Sequence, residues 1–185
     1  PVAHRAYRRP VTDSDLNHLL GLYRAGLSNG NFEEAIRIAI QGILVSPKFL
    51  FRAVTDPPGI RPGEAYRISD LELASRLSFF LWSTIPDDEL LNLAERGQLQ
   101  DGKVLEQQVQ RMLGDSRSQA LVSNFAGQWL LLRNIAKLSP DPDEHPDFDD
   151  NLRQAFEKET ALFFESMLRE DHSILDLLDA NYTFL

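Results

Sequence analysis

The sequence predicts an all-α protein, and three observations carry that prediction. Apolar residues recur at the 3.6-residue helical period in most of the chain between its loops. Helix-capping residues stand at the start of these periodic stretches. No segment keeps strand-like alternation against a helical reading, the short Tyr182–Leu185 being the one exception.

Taken in order, residues 1–9 read as the tail of a helix that Pro10 breaks. Thr12 with Asp15 forms a capping box, an Asp standing for the usual Glu. Leu16, Leu19, Leu20, Tyr23 and Leu27 follow at helical spacing, and Asn29–Gly30 ends the helix. Asn31 caps the next helix, which carries Phe32, Ile36, Ala39, Ile40, Ile43 and Leu44 and stops before Ser46–Pro47. So short a turn predicts an antiparallel helical hairpin. Lys48–Ala53 is a helical turn or a single extended piece. The Pro- and Gly-rich run Thr55–Ala65 reads as a linker, dividing a small hairpin domain at 1–54 from a multi-helix orthogonal or bundle domain at 66–185.

Ser69 caps a mostly apolar helix from Asp70 to Trp82. Pro86, Asp87 and Asp88 open a short helix that Gly97 ends, and Asp101 opens another that ends at Gly114. Ser116–Asn134 reads as one central helix, with Leu121, Val122, Phe125, Trp129 and Leu132 on its large apolar face. Ser139–Asp150 is an acidic, Pro-broken loop. A helix of about 20 residues follows, striped by Leu152, Phe156, Phe163 and Met167, and then a last short helix with Ile174, Leu177 and Leu178. The expected core centres on Leu121, Phe125, Trp129, Phe156 and Phe163.

Composition narrows the function classes. No cysteine is present, so thiolate metal sites, a cysteine nucleophile and covalent c-type haem attachment are excluded within this chain. No apolar run approaches the ~18 residues of a membrane span. The net charge is −9, yet residues 1–60 carry seven Lys and Arg against five Asp and Glu. The acidic larger part argues against nucleic-acid binding. Arg5, Arg8 and Arg9 form the one basic knot, read as a solvated or salt-bridged helix end.

Catalytic motifs are missing. There is no GxSxG elbow, no phosphate-binding GxxxxGK[ST] and no GxGxxG after a strand. His4, His18, His145 and His172 never stand four apart on one helix. The site-like feature is the acidic loop, where Asp141, Asp143 and Asp147 offer hard oxygen ligands for calcium, although the spacing fails the EF-hand pattern. Glu157, Glu159 and Glu165 read as a solvated helix face, and Trp82 and Trp129 as core rather than as sugar- or haem-stacking rings.

Two sets of segments carry a resemblance. RAYRRPVT at Arg5–Thr12 and IAIQGILVSPKFLFR at Ile38–Arg52 resemble one small domain family. YRISDLELASRLSFFLWSTIPDDELL at Tyr66–Leu91, NFAGQWLLLR at Asn124–Arg133 and ANYTFL at Ala180–Leu185 resemble a second. Both are planctomycete-type PSD domains of unknown function, found side by side in large exported multidomain proteins beside c-type cytochrome modules. The resemblance implies an exported parent, no cofactor in this piece, c-type haem elsewhere in the parent, and other parent domains as partners, a cytochrome c module among them. It hands over no catalytic residue. Both termini read as cuts from a longer polypeptide. The expected function is a non-catalytic spacer or docking platform. The alternative is part of a redox or polysaccharide-related enzyme completed by other segments.

Overall fold

The computed structural model describes residues 1–52 and 56–184, with Asn29 described by its backbone alone. Among the described residues every regular element is helical and no strand occurs. Tyr182–Phe184 is irregular rather than extended in a sheet. Thr55 and Leu185, the outer ends of the expected linker and of the expected strand, lie outside the described residues, as does Ala53 at the end of the Lys48–Ala53 piece.

The chain forms two compact units. The first comprises residues 1–79 and 84–106, the second residues 80–83 and 107–185.

In the first unit, α1 (Val2–Tyr7) leads to α2 (Asp13–Asn29) and α3 (Phe32–Leu44). The α2 capping box is present as expected: the Asp15 N–H donates to Thr12 Oγ1 at 3.2 Å, and the Thr12 N–H donates to Asp15 Oδ2 at 3.0 Å. Asn31 caps α3 through the Glu34 N–H. The α2–α3 hairpin closes tightly because two glycines sit at the seam. A Cβ at Gly26 would lie 2.7 Å from the Ala35 Cα, and one at Gly42 would lie 2.2 Å from Leu22 Cδ1. Helix α1 packs onto this pair through a buried cluster of Ala6, Tyr7 and Ile43, with Ala3, Leu19 and Phe49 against it.

The piece after α3 is helical first and extended afterwards: α4 is Pro47–Leu50, capped by Ser46, and Phe51 is extended. Two turns follow, closed by Ile60 N–H to Pro57 O and Glu64 N–H to Arg61 O. Each has Pro at its second position and a positive-φ glycine at its third, Gly59 at 87° and Gly63 at 85°, the signature of a type II turn. Helix α5 (Asp70–Trp82) begins at a reciprocal Ser69–Glu72 capping box. Buried Asp70 accepts the Leu99 N–H at 2.7 Å, and Gln100 Nε2 donates to Ile68 O. These bonds tie the start of α5 to the segment after α6 (Asp88–Glu95), which Asp87 caps. Leu90, Leu91, Leu99 and Pro86 are fully buried.

The second unit takes the end of α5 and of α7 (Gly102–Gly114). Here one expectation is corrected. Ser116–Asn134 is not one α-helix. It is a 3₁₀ turn at Ser116–Ser118, a π-helical stretch at Leu121–Ala126 and a short α8 (Gly127–Trp129), ended by Leu131 at φ 59°. A further 3₁₀ segment covers Leu132–Lys137. Each i→i+5 turn shifts the side chains out of 3.6-residue phase, so residues assigned to one face separate. Leu121, Val122, Ala126 and Leu132 are buried, but Phe125 is 45% exposed and Trp129 55%. Helix α9 (Asp150–Arg169), capped by Asp149, buries Phe164, Ser166 and Met167. Phe163 is only half-buried and Phe156 is exposed, so the expected core centre is corrected at Phe125, Trp129, Phe156 and Phe163. The observed cluster is Val122, Ala126 and Phe164, with Leu130, Ala161, Leu168 and Leu177 packed on it. The last helix is α10 (Asp176–Asp179).

Candidate functional site

Two features of the first unit stand out: an apolar face on the hairpin and a cation-lined cavity.

On α2, the seam toward α3 uses Leu19, Leu22 and Gly26. Leu16, Leu20 and Leu27 lie to one side of that seam, and all three are exposed. On α3, Phe32, Ile36, Ile40 and Leu44 step by four and are exposed as well. In antiparallel helices an equal rotation away from the seam reaches the same face of the hairpin, which places Phe32 and Ile36 beside the α2 set, while Ile40 and Leu44 turn toward the side of α3 away from α2. That face adjoins Ile43, where α1 already packs. Together these side chains leave exposed apolar surface on the hairpin.

The cavity has a volume of about 1110 Å³ and is bounded by α1, α4, the turns and α5. Tyr7, Phe51, Pro47, Pro57 and Leu71 supply apolar wall. Arg8, Arg9, Lys48, Arg52, Arg67 and Arg76 also line it, against one acid, Glu72, among the described residues. The basic knot is a salt-bridged helix end at Arg5 and Arg9, as expected, and departs from that expectation at Arg8. Arg5 does pair with Asp88 in the open. Arg8, however, is buried and donates to the Ala6, Lys48, Phe49 and Phe51 carbonyls, which closes the C-terminal end of α4. Burial first, and the neighbouring Arg52 next, pull the Arg8 guanidinium below its ordinary pKa. Arg9 and Lys48 both pair with Asp15, whose side chain is buried. The Lys48 hydrogen bond holds the Asp15 carboxyl far below the usual range, opposed by burial and aided by Thr12 and Arg9. Arg52 lies over the Phe79 ring at 4.4 Å, with Arg8 at 5.8 Å from the same ring. The Tyr66 hydroxyl donates to Asp56 at 2.6 Å, and that bond raises its pKa.

Asp141, Asp143 and Asp147, the calcium candidates, are all exposed. Asp141 accepts the Asp143 N–H in a local turn. Among the described residues no group of three or more His, Asp or Glu converges as a metal site. The histidines are dispersed: His4 pairs with Glu95, His172 with Glu170, and His18 and His145 are exposed. Glu165 pairs with Arg169. Trp82 is core as expected, 3% exposed. Trp129 instead joins Phe80, Phe125 and Phe164 in an aromatic cluster of the second unit, stacked on Phe125 at 5.8 Å. No helix of the described chain is long and apolar enough to cross a membrane.

The sequence model of the family described as PSD4, protein of unknown function (DUF1592), matches residues 68–185, more than half of the chain. The chain belongs to the PSD4 family. A second model, PSD5, protein of unknown function (DUF1595), matches residues 1–53. These are the two adjacent PSD families that the motifs at Arg5–Thr12, Ile38–Arg52 and Tyr66–Leu91 resemble. No curated protein and no solved structure matches the chain.

Proposed function

We propose that this PSD4-family chain is a non-catalytic docking module of an exported multidomain protein. The observation that supports this reading is the uncovered apolar face of the α2–α3 hairpin. Seven large apolar side chains of the hairpin, each 38–64% exposed, forgo roughly half of the burial that is worth about 1.5–3 kcal/mol per side chain, so a covering partner is favoured. The occupant is another segment of the same parent polypeptide. The face is continuous with the surface on which α1 packs, so it already serves packing within the chain. A haem-bearing module of the parent is the candidate, from the company the PSD families keep, and the acidic balance of the chain would steer a basic partner. The test is to mix this chain with the haem-bearing segment of its parent and follow backbone chemical shifts. Shifts confined to α2 and α3 are expected. Turnover of a substrate by the chain alone, lost on a single substitution, would overturn the reading.

The exposed ring of Trp129 supports a second reading, in which the chain is part of a polysaccharide-related enzyme. A Trp face beside Phe80 and Phe125 can stack on a sugar ring. Quenching of tryptophan fluorescence by neutral oligosaccharides, abolished in Trp129→Ala, would select it. Unchanged fluorescence would remove it.

A further inference from the structure

We infer that the cavity of the first unit binds an organic anion bearing two or more oxyanion groups, carboxylate, sulfate or phosphate, on a body that lies against apolar wall. The charge arrangement carries this. The chain is acidic overall, yet six cationic side chains line one concavity with one carboxylate among them. Gathering like charges costs energy that neighbouring carboxylates normally offset. Part of the set is committed. Arg8 is spent on backbone carbonyls, Arg9 and Lys48 share Asp15, and Glu72 serves the Ser69 cap. Arg52, Arg67 and Arg76 form no ion pair with a described carboxylate. Arg52 is held by stacking on Phe79, so its fork is oriented before any ligand arrives.

Helix α5 adds a second, independent pointer. Ser69, Glu72 and Arg76 follow i, i+3, i+7 spacing, and Leu71 and Ser75 follow i, i+4, so one side of the helix lines the cavity. Ser75 Oγ is buried behind this wall without a hydrogen-bond partner among the described residues, so the wall carries an unmet polar group. A guanidinium binds carboxylate, sulfate and phosphate alike through paired N–H donors. Two unpaired guanidiniums, Arg67 and Arg76, stand on the same segment as Ser75, so more than one anionic group is called for. The volume of about 1110 Å³ matches a drug-sized organic molecule and far exceeds what a lone inorganic ion fills. The aromatic rings of Tyr7, Phe51 and Tyr66 give that body its apolar contact. Nucleic acid is not the fit, because it needs an open basic stripe and the chain outside this cavity is acidic.

Calorimetric titration of the whole chain at low salt tests this with four probes: ADP, citrate, inorganic phosphate and adenosine. One-to-one binding of ADP or citrate is expected, tighter than inorganic phosphate, with adenosine silent. ADP binding above citrate assigns phosphate-type groups, and the reverse assigns carboxylates. Arg67→Gln with Arg76→Gln should weaken binding at least about tenfold. Ser75→Ala should weaken it less, and the remote Arg24→Gln should leave it unchanged. Circular dichroism melts of each variant separate lost binding from lost folding. Silence with every anion, inorganic phosphate binding as tightly as ADP and citrate, or equal loss in Arg24→Gln would overturn the assignment. So would binding unchanged in the folded Arg67, Arg76 double variant.

Discussion

The guanidinium of Arg117 lies 3.5 Å over the ring of Trp82. Asp115 fixes it there, accepting from Arg117 Nε at 2.9 Å and Nη2 at 2.7 Å, and the ring's Nε1 donates to the Met112 carbonyl at 2.9 Å. Trp82 is therefore clamped on its face and at its edge. Trp82→Ala should cost about 3–5 kcal/mol in chemical denaturation. Arg117→Ala should cost about 1–2 kcal/mol through the lost cation–π contact. Trp129→Ala, at an exposed ring, should cost about 1 kcal/mol or less. A larger loss for Trp129 than for Trp82 would contradict this packing.

Gly26 sets the approach of α2 to α3. Its missing Cβ faces the Ala35 backbone at 2.7 Å, which cannot rotate away as the Leu22 tip facing Gly42 can. Gly26→Ala gains helix propensity but forces the helices apart, and should destabilise by about 1–3 kcal/mol. Gly42→Ala should cost less. Thermal melts of the two variants check the order.

Asp15 links the hairpin to pH. Its carboxyl titrates far below the ordinary value in the folded chain, because Lys48 and then Thr12 and Arg9 favour the charged form. A group depressed on folding stabilises above its unfolded pKa, near 4, and that contribution is lost as pH falls below it. Unfolding free energy should thus fall on acidification from about pH 5, and Asp15→Asn should flatten that fall. At neutral pH, Asp15→Asn should cost about 1–3 kcal/mol, since Lys48 and Arg9 lose their charge-assisted bonds to a buried carboxylate. An unchanged pH profile in the variant would remove Asp15 from this role.

The acidic loop should not hold calcium tightly. Asp141, Asp143 and Asp147 are exposed, and Asp141 is engaged by the Asp143 N–H. Calorimetry should show no binding tighter than the millimolar range of weak extracellular sites. A micromolar one-to-one isotherm lost in Asp143→Asn would contradict that.

What the sequence makes legible is local. Thr12 with Asp15, Asn31, Ser69 and Asp87 each mark a helix start within three or four residues, and all are in place. The central tract is illegible because phase accumulates. A helical wheel drawn through Leu121–Ala126 assumes a constant turn, and the π-helical stretch breaks it, so Phe125 and Trp129 leave the buried face. The cavity is illegible for a different reason. Its cations come from residues 8–9, 48–52 and 67–76, and charge counted over residues 1–60 and 61–185 averages them away. The available signal was a cation on each side of the Pro-rich segment, at Arg52 and Arg67.

The hairpin face is the part of the functional account most open to direct measurement. Sedimentation velocity of this chain, alone and with the remaining segments of its parent, should show a monomer that joins those segments. Ile36→Glu with Ile40→Glu should abolish the association by at least about tenfold while the helical circular dichroism stays unchanged. Association unaffected by the double substitution, or a stable dimer of the chain alone through this face, would contradict docking of the α2–α3 hairpin within the parent protein.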